Sequence, residues 1–329
     1  MRKSLATAVI AALLIIGCAD AESWFSKTFL ESEVHGERPV SPPEGNRPPR
    51  SLPALQFLVV GDAGTGGHGQ RRVASSMAEK AAEDSTSFVL FLGDNIYESG
   101  VTAVTDIQWK LKFESVYNQP SLQMPFLAIL GNHDYYLNPQ AQIEYTFVSS
   151  RWYMPDWYYT RSFETDDSTV LQLFCLNTAP MASRNGSPAR DTSAYAAQLQ
   201  WLESGLSGSK ARWKIVAGHH PLYSNGDHGD DPHLASLLEP LFVRHNVDMY
   251  LAGHEHDLQL LRPVNGVHYI ISGGGGKHRD TEWRENTLYA ATNLGFVRIS
   301  ISRADALVQF FDAAGNLKYA HMIERNPGR

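Results

Sequence analysis

The chain has 329 residues, with 28 Lys and Arg against 35 Asp and Glu, a formal net charge of −7. A chain of this size buries most of its unfolded surface without covalent staples; two cysteines exclude a disulfide scaffold, and an aromatic content of 11% excludes wholesale disorder. The acidic balance argues against a nucleic-acid coat but not against an anionic substrate, because a bound metal ion can outweigh the side chains around it.

In chain order the first feature is an address. Arg2 and Lys3 precede an apolar run, Leu5 to Ile16, too short for a span of ~20 residues and suited to a secretory signal. Two cleavage readings stand. Ala19-Asp20-Ala21 is a small-x-small site, and Ile15-Ile16-Gly17-Cys18 resembles a lipobox that would leave Cys18 lipidated. Both predict export, periplasmic or secreted, with membrane attachment only through Cys18. Residues 38–53 carry six prolines in sixteen positions, a composition that favours an extended spacer. Residues 22–53 are therefore expected to be a tether, or else an arm packed on the surface, ahead of one domain over 54–329.

The domain repeats one device five times. Phe57–Val60 runs into Gly61-Asp62, Phe88–Leu92 into Gly93-Asp94, and Phe126–Leu130 into Gly131-Asn132-His133-Asp134. Lys214–Ala217 then runs into Gly218-His219, and Asp248–Ala252 into Gly253-His254-Glu255-His256. Short uninterrupted apolar runs mark strands buried on both faces. Helical patterns fall between them, over 71–82, 106–117, 194–206 and 234–244. This alternation predicts a layered α/β architecture, in which ligands bind beyond the carboxyl ends of the strands. All five exits deliver Asp, Asn or His there.

The candidate ligands are Asp62, Asp94, Tyr97, Asn132, His219, His254 and His256. Oxygen and imidazole donors without thiolate suit iron, zinc or manganese. His254-x-His256 can aim one imidazole at each of two metals, and a carboxylate such as Asp94 can bridge them. Two metals ~3.5–4 Å apart form the clamp used on phosphate esters.

The run GDAG, GDNIY, GNHD, VAGHH and GHEH resembles the calcineurin-like metallophosphoesterases, and among them the small tartrate-resistant type of purple acid phosphatase. The likeness spans about residues 54–325 and includes GDNIYESG, AQIEY at 141–145, GHEHDLQLL and LVQFFDAAG. It implies a four-layer α/β/β/α sandwich with a dinuclear site at the strands' carboxyl ends. It further implies that Asp62, Tyr97 and His256 join bridging Asp94 around a ferric ion. Asn132, His219 and His254 would join Asp94 around a divalent ion, whether iron, zinc or manganese. His133 and His228 match the two catalytic histidines that contact phosphate and leaving group. The wider pattern begins Asp-x-His, whereas Gly64 stands here, and the phenolate of Tyr97 takes the place of the lost imidazole.

Charge gives that exchange a physical sense. Two carboxylates, a phenolate and a bridging hydroxide against one trivalent and one divalent ion leave a site of about +1, attractive to phosphate. A ferric ion also keeps hydroxide available in acid. The implied function is an exported acid phosphatase that hydrolyses small phosphomonoesters, with phosphoproteins as further substrates, through attack of a metal-bound hydroxide; the alternative is a metallophosphoesterase that acts on phosphodiesters or phosphoproteins with two divalent metals. No nucleic-acid partner is expected, and a monomer is.

Gly64–Gly69 fits a G-x-G-x-x-G dinucleotide fingerprint, but that rival leaves five of the ligand candidates unexplained. A binding protein on the same fold without turnover is the second rival. Residues 178–193, rich in small and polar residues, predict a mobile surface loop with Arg184 and Arg190 as protease sites. His220 is expected to point away from His219, and His278 to be an ordinary surface or core residue.

Overall fold

The computed structural model describes residues 55–165, 168–183 and 193–325. The export signal, Cys18, the tether, Arg184 and Arg190 lie outside the described residues. Two seven-stranded mixed sheets form the frame. In the first, β1 (Leu55–Val60), β2 (Phe88–Phe91), β3 (Phe126–Ala128) and β4 (Trp152–Tyr153) run parallel. Antiparallel β12 (Gly295–Ile301), β13 (Asp305–Asp312) and β14 (Leu317–Glu324) extend it beyond β1.

The second sheet contains β5 (Tyr159–Thr165), β6 (Ser168–Cys175), β7 (Trp213–Ala217), β8 (Met249–Ala252), β9 (Leu258–Leu261), β10 (His268–Ser272) and β11 (Thr287–Ala291). Its order is β11-β9-β10-β8-β7-β6-β5, with β6, β7, β8 and β10 mutually parallel. The described residues contain no helix long and apolar enough to cross a membrane.

Side-chain alternation sorts the second sheet's residues between two cores. Ile215, Ala217, Leu251 and Ile270 join the core shared with the first sheet, which includes Phe57 and Val59. Val216, Tyr250, Tyr269 and Ile271 join the other, with Leu202 and Leu206 of α4 (Ser193–Gly208) and Leu238 and Phe242 of α5 (Pro232–Arg244). That division is the period-two geometry of a strand covered on both faces. On the first sheet's outer side α1 (His68–Glu83) buries Val73, Met77 and Ala81. The layers therefore run helix, sheet, sheet, helix, as the family resemblance implies.

Aromatic stacking joins the sheets. Phe57 stacks on Phe88 at 4.6 Å and Phe88 on Phe163 of β5 at 4.5 Å, each contact adding ~0.5–1.5 kcal/mol beyond burial. Trp213 Nε1 donates to the Ser302 carbonyl at 2.9 Å, and Ser272 Oγ to that of Val59 at 2.8 Å.

The predicted helix over 106–117 is only partly regular. Asp106 caps α2 (Ile107–Trp109) by accepting from the Gln108 N–H at 3.0 Å, and the chain then widens into one π turn, Lys110–Glu114. Such turns recur near functional sites. The helix α3 (Gln140–Glu144) follows the third strand exit.

Candidate metal centre

The five strand exits meet at one end of the sandwich. Asp62 (φ 56°), Asp94 (φ 50°) and His254 (φ 69°) all occupy the left-handed backbone region, which is unfavourable for residues with a Cβ and clusters at functional sites. Each directly follows a glycine. The exits are laced together by backbone bonds: the Asp62 N–H donates to the Gly93 carbonyl at 3.0 Å, and that of Tyr97 to Gly64 at 2.9 Å.

The seven ligand candidates form two groups. In one, Tyr97 OH donates to Asp62 Oδ1 at 3.0 Å and lies 3.0 Å from His256 Nε2, itself 3.6 Å from Asp62 Oδ1. In the other, His219 Nε2 lies 3.0 Å from Asn132 Oδ1 and 3.2 Å from His254 Nδ1. Asp94 belongs to both. Its Oδ1 is 3.6 Å from His219 Nε2, and ligand atoms of Asp62, Asp94 and His219 lie within 4.8 Å of one another.

Burial sets the electrostatics. Asp62, Asp94, Tyr97 and His219 are all but sealed from solvent. Burial, and then the Asp94 charge, push the Asp62 carboxyl well above the usual range; the Tyr97 phenol is raised by burial and by both carboxylates. Burial lowers His219 and His254, and lowers His256 to about 4. Each charged form is therefore penalised, and the imidazoles keep their lone pairs. His219 Nδ1–H donates to the Leu92 carbonyl at 2.7 Å, leaving Nε2 to face the other donors. Packed carboxylates, a phenol and neutral imidazoles directed at one point are a donor set that fits cations.

The two catalytic candidates flank this cluster. The His133 ring sits 4.7 Å from that of Tyr97 with its Nδ1 2.6 Å from the Glu98 carbonyl, and the His133 backbone N–H donates to Asp94 Oδ1 at 2.9 Å. The His228 ring lies 4.1 Å from that of His254, with Nδ1 3.1 Å from Glu255 Oε2.

Two expectations need correction. His220 does not point away: its ring is 4.6 Å from that of His254, and its ligand atom falls within 4.8 Å of those of His219 and His254. The cause is Thr178, whose Oγ1 accepts from both the His219 and His220 N–H groups and lies 2.9 Å from His220 Nδ1. The expected mobile loop is, over its described first part, packed interior; Thr178 and Met181 are fully buried and Ser183 donates to Asp231. His278 is exposed, as expected, and lines the cleft beside the site.

Several residues had escaped the sequence reading. Buried Asp134 accepts from the Asn95, Ile96 and Gly131 N–H groups and from Gln142 Nε2, clamping two exits together; burial, then Asp94, raise its pKa. Buried Glu255 orients His228. Lys112, aimed by the π turn, donates to the Tyr97 carbonyl. A sixth exit, β10 into Gly273–Gly276 and Lys277-His278-Arg279, borders the cleft of about 480 Å³. Its apolar-run-then-glycine pattern matches the other five, but it ends in cations rather than ligands.

The calcineurin-like phosphoesterase family model matches residues 55–258. Purple acid phosphatase 4 of Arabidopsis thaliana is 34% identical over 310 residues, 87% of this chain and 86% of that protein. Tartrate-resistant acid phosphatase type 5 of Oryctolagus cuniculus is 33% identical over 290 residues, 80% of this chain and 89% of that one. Among solved structures, GAP50, the anchor in the inner membrane complex of Plasmodium, shares the fold with a TM-score of 0.74 at 24% identity, covering 83% of this chain and 89% of that one. With matches of this extent, and with the donor-bearing exits gathered at one point, the chain belongs to the purple acid phosphatases of the calcineurin-like phosphoesterase family.

Proposed function

We propose that the chain is an exported acid phosphatase that hydrolyses phosphomonoesters at a dinuclear centre of one ferric and one divalent ion. In this reading residues 1–21 are the export signal, 22–53 a tether and 54–329 a single catalytic domain acting as a monomer. The observation that carries it is the pairing of two donor groups, Asp62–Tyr97–His256 and Asn132–His219–His254, across Asp94. Phenolate in the first group favours a hard trivalent ion, and the amide and two imidazoles of the second suit a divalent one. When bound, the metal pair supplies activated water and neutralises phosphate oxygens.

The chain's own groups supply the rest. His228, with Nδ1 held by Glu255 and Nε2 beside the Arg279 guanidinium, hands a proton to the leaving oxygen. His133, anchored to the Glu98 carbonyl, stands beside the phosphoryl group and steadies its charge. Loss of one such proton donor costs about 10²–10⁴ in rate.

The test uses the full mature protein loaded with iron and a divalent metal. Expected are hydrolysis of p-nitrophenyl phosphate in acid, a purple phenolate-to-iron absorption band lost in Tyr97→Phe, and a fall in kcat of about 10²–10⁴ in His228→Ala. A colourless protein with two divalent ions sinks the ferric assignment. No turnover by metal-replete protein sinks the phosphatase reading.

A further inference from the structure

The glycine run after β10 is packed backbone against backbone on the first strand exit. The Gly275 N–H donates to the Gly61 carbonyl at 3.1 Å. A Cβ at Gly275 would lie 2.4 Å from the Gly61 oxygen, and one at Gly276 2.7 Å from the Ala63 oxygen. Past the glycines, the Arg279 N–H donates to the His256 carbonyl at 2.8 Å. The backbone carrying Lys277 and Arg279 is thereby fixed, and both residues line the same cleft as Tyr97, His133 and His256.

The two cations are available. Lys277 Nζ lies 4.3 Å from the Tyr97 ring centroid and pairs at 2.8 Å with Glu98, whose side chain is 69% exposed. A pair so open to water is readily exchanged. Among the described residues Arg279 has no carboxylate partner; its guanidinium rests against the His228 ring, with Nη1 3.3 Å from Nε2. A partly buried guanidinium facing a cleft of about 480 Å³ is a fork for a bidentate oxyanion. The cleft is also far larger than one phosphoryl group requires.

We infer that Lys277 and Arg279 form an anion subsite that selects phosphomonoesters carrying a second anionic group, a phosphate or a carboxylate, on the leaving side. This rests on the phosphatase reading, since it assigns the reacting phosphoryl to the donor cluster and the leaving group to the His228 side. It makes an acidic protein discriminate in favour of the more highly charged phosphoesters.

Binding of non-hydrolysable phosphonates to metal-loaded full-length protein tests it, by calorimetry with propylphosphonate, 3-phosphonopropionate and propane-1,3-diphosphonate. The wild type is expected to bind one or both of the second-anion probes about 10- to 100-fold more tightly than propylphosphonate, the worth of a charge-assisted contact. Whichever probe gains more identifies the second group. Arg279→Gln and Lys277→Gln should each shrink that ratio, Arg279→Lys should restore part of it, and added salt should erode it. Equal affinity for all three probes in the wild type, or an equal loss for all three in Arg279→Gln, overturns the subsite. Hydrolysis of p-nitrophenyl phosphate by the same wild-type preparation keeps the two readings apart. Turnover without a second-anion preference rejects only the subsite, whereas absence of turnover rejects the phosphatase.

Discussion

Gly64 shows how one absent side chain can define a metal site. It stands where the wider phosphoesterase pattern carries a histidine, and a Cβ there would lie 2.0 Å from the Asn95 carbonyl oxygen. The Tyr97 N–H bonds to the Gly64 carbonyl at 2.9 Å, so the GDNIY exit closes directly onto this residue and carries the phenol to Asp62. Loss of the imidazole and arrival of the phenol are thus one packing event. Gly64→Ala should cost about 1–3 kcal/mol of stability by overpacking and weaken the purple absorption, read by urea titration and by absorbance per bound iron. Unchanged stability and colour would show that the exits do not depend on this approach. Both departures stand in the sequence as GDAG and GDNIY; the steric link between them exists only where the backbones touch.

Strands and their exits account for most of what the sequence makes visible. The five donor-bearing exits are readable because a buried strand, a glycine and a donor lie within a few residues of each other. The sixth, after β10, has the same local form and differs only in ending on Lys277 and Arg279, cations that no metal-ligand alphabet includes. The π turn at Lys110–Glu114 keeps an amphipathic pattern, so periodicity alone reads it as ordinary helix. At the far edge, His321 on β14 pairs with Val308 and lies near the rings of Tyr319 and His268. Burial lowers its pKa below the ordinary 6.5. Protonation therefore opposes folding, and stability present above about pH 6.5 is lost as pH falls through this window toward the folded pKa. Melting temperatures of His321→Leu should decline less between pH 7 and 5 than those of the wild type; parallel curves would remove His321 from the acid response.

Across the whole molecule the site is a concentration of buried ionisable groups that the fold tolerates poorly without counter-charge. Asp62, Asp94, Asp134, Tyr97 and the imidazoles of His219, His254 and His256 occupy one water-poor junction between the sheets. Cations bound there neutralise the carboxylates and stabilise the folded chain by mass action, ~2.7 kcal/mol at a hundredfold excess over Kd. Stripping metal with a chelator should lower the melting temperature by several degrees and re-addition should restore it, measured by calorimetry; an unchanged melting temperature would mean that the cluster is not a cation site. The negative net charge of the chain is no obstacle to a phosphate substrate in this arrangement, because the attraction is generated locally by bound metal and by the Lys277–Arg279 edge.

Strand positions and the alphabet of the ligands were written in the chain, because each depends on residues a few positions apart: an uninterrupted apolar run, a glycine, then a donor. Which donors face one another was settled by folding. Asp62 meets Tyr97 and His256, Asn132 meets His219, and His220 turns inward because Thr178, more than forty residues earlier, accepts its N–H. Those distances follow from sheet order and from backbones packed without intervening side chains. Burial follows from the same packing, and with it the displaced pKa values that make the cluster receptive to metal.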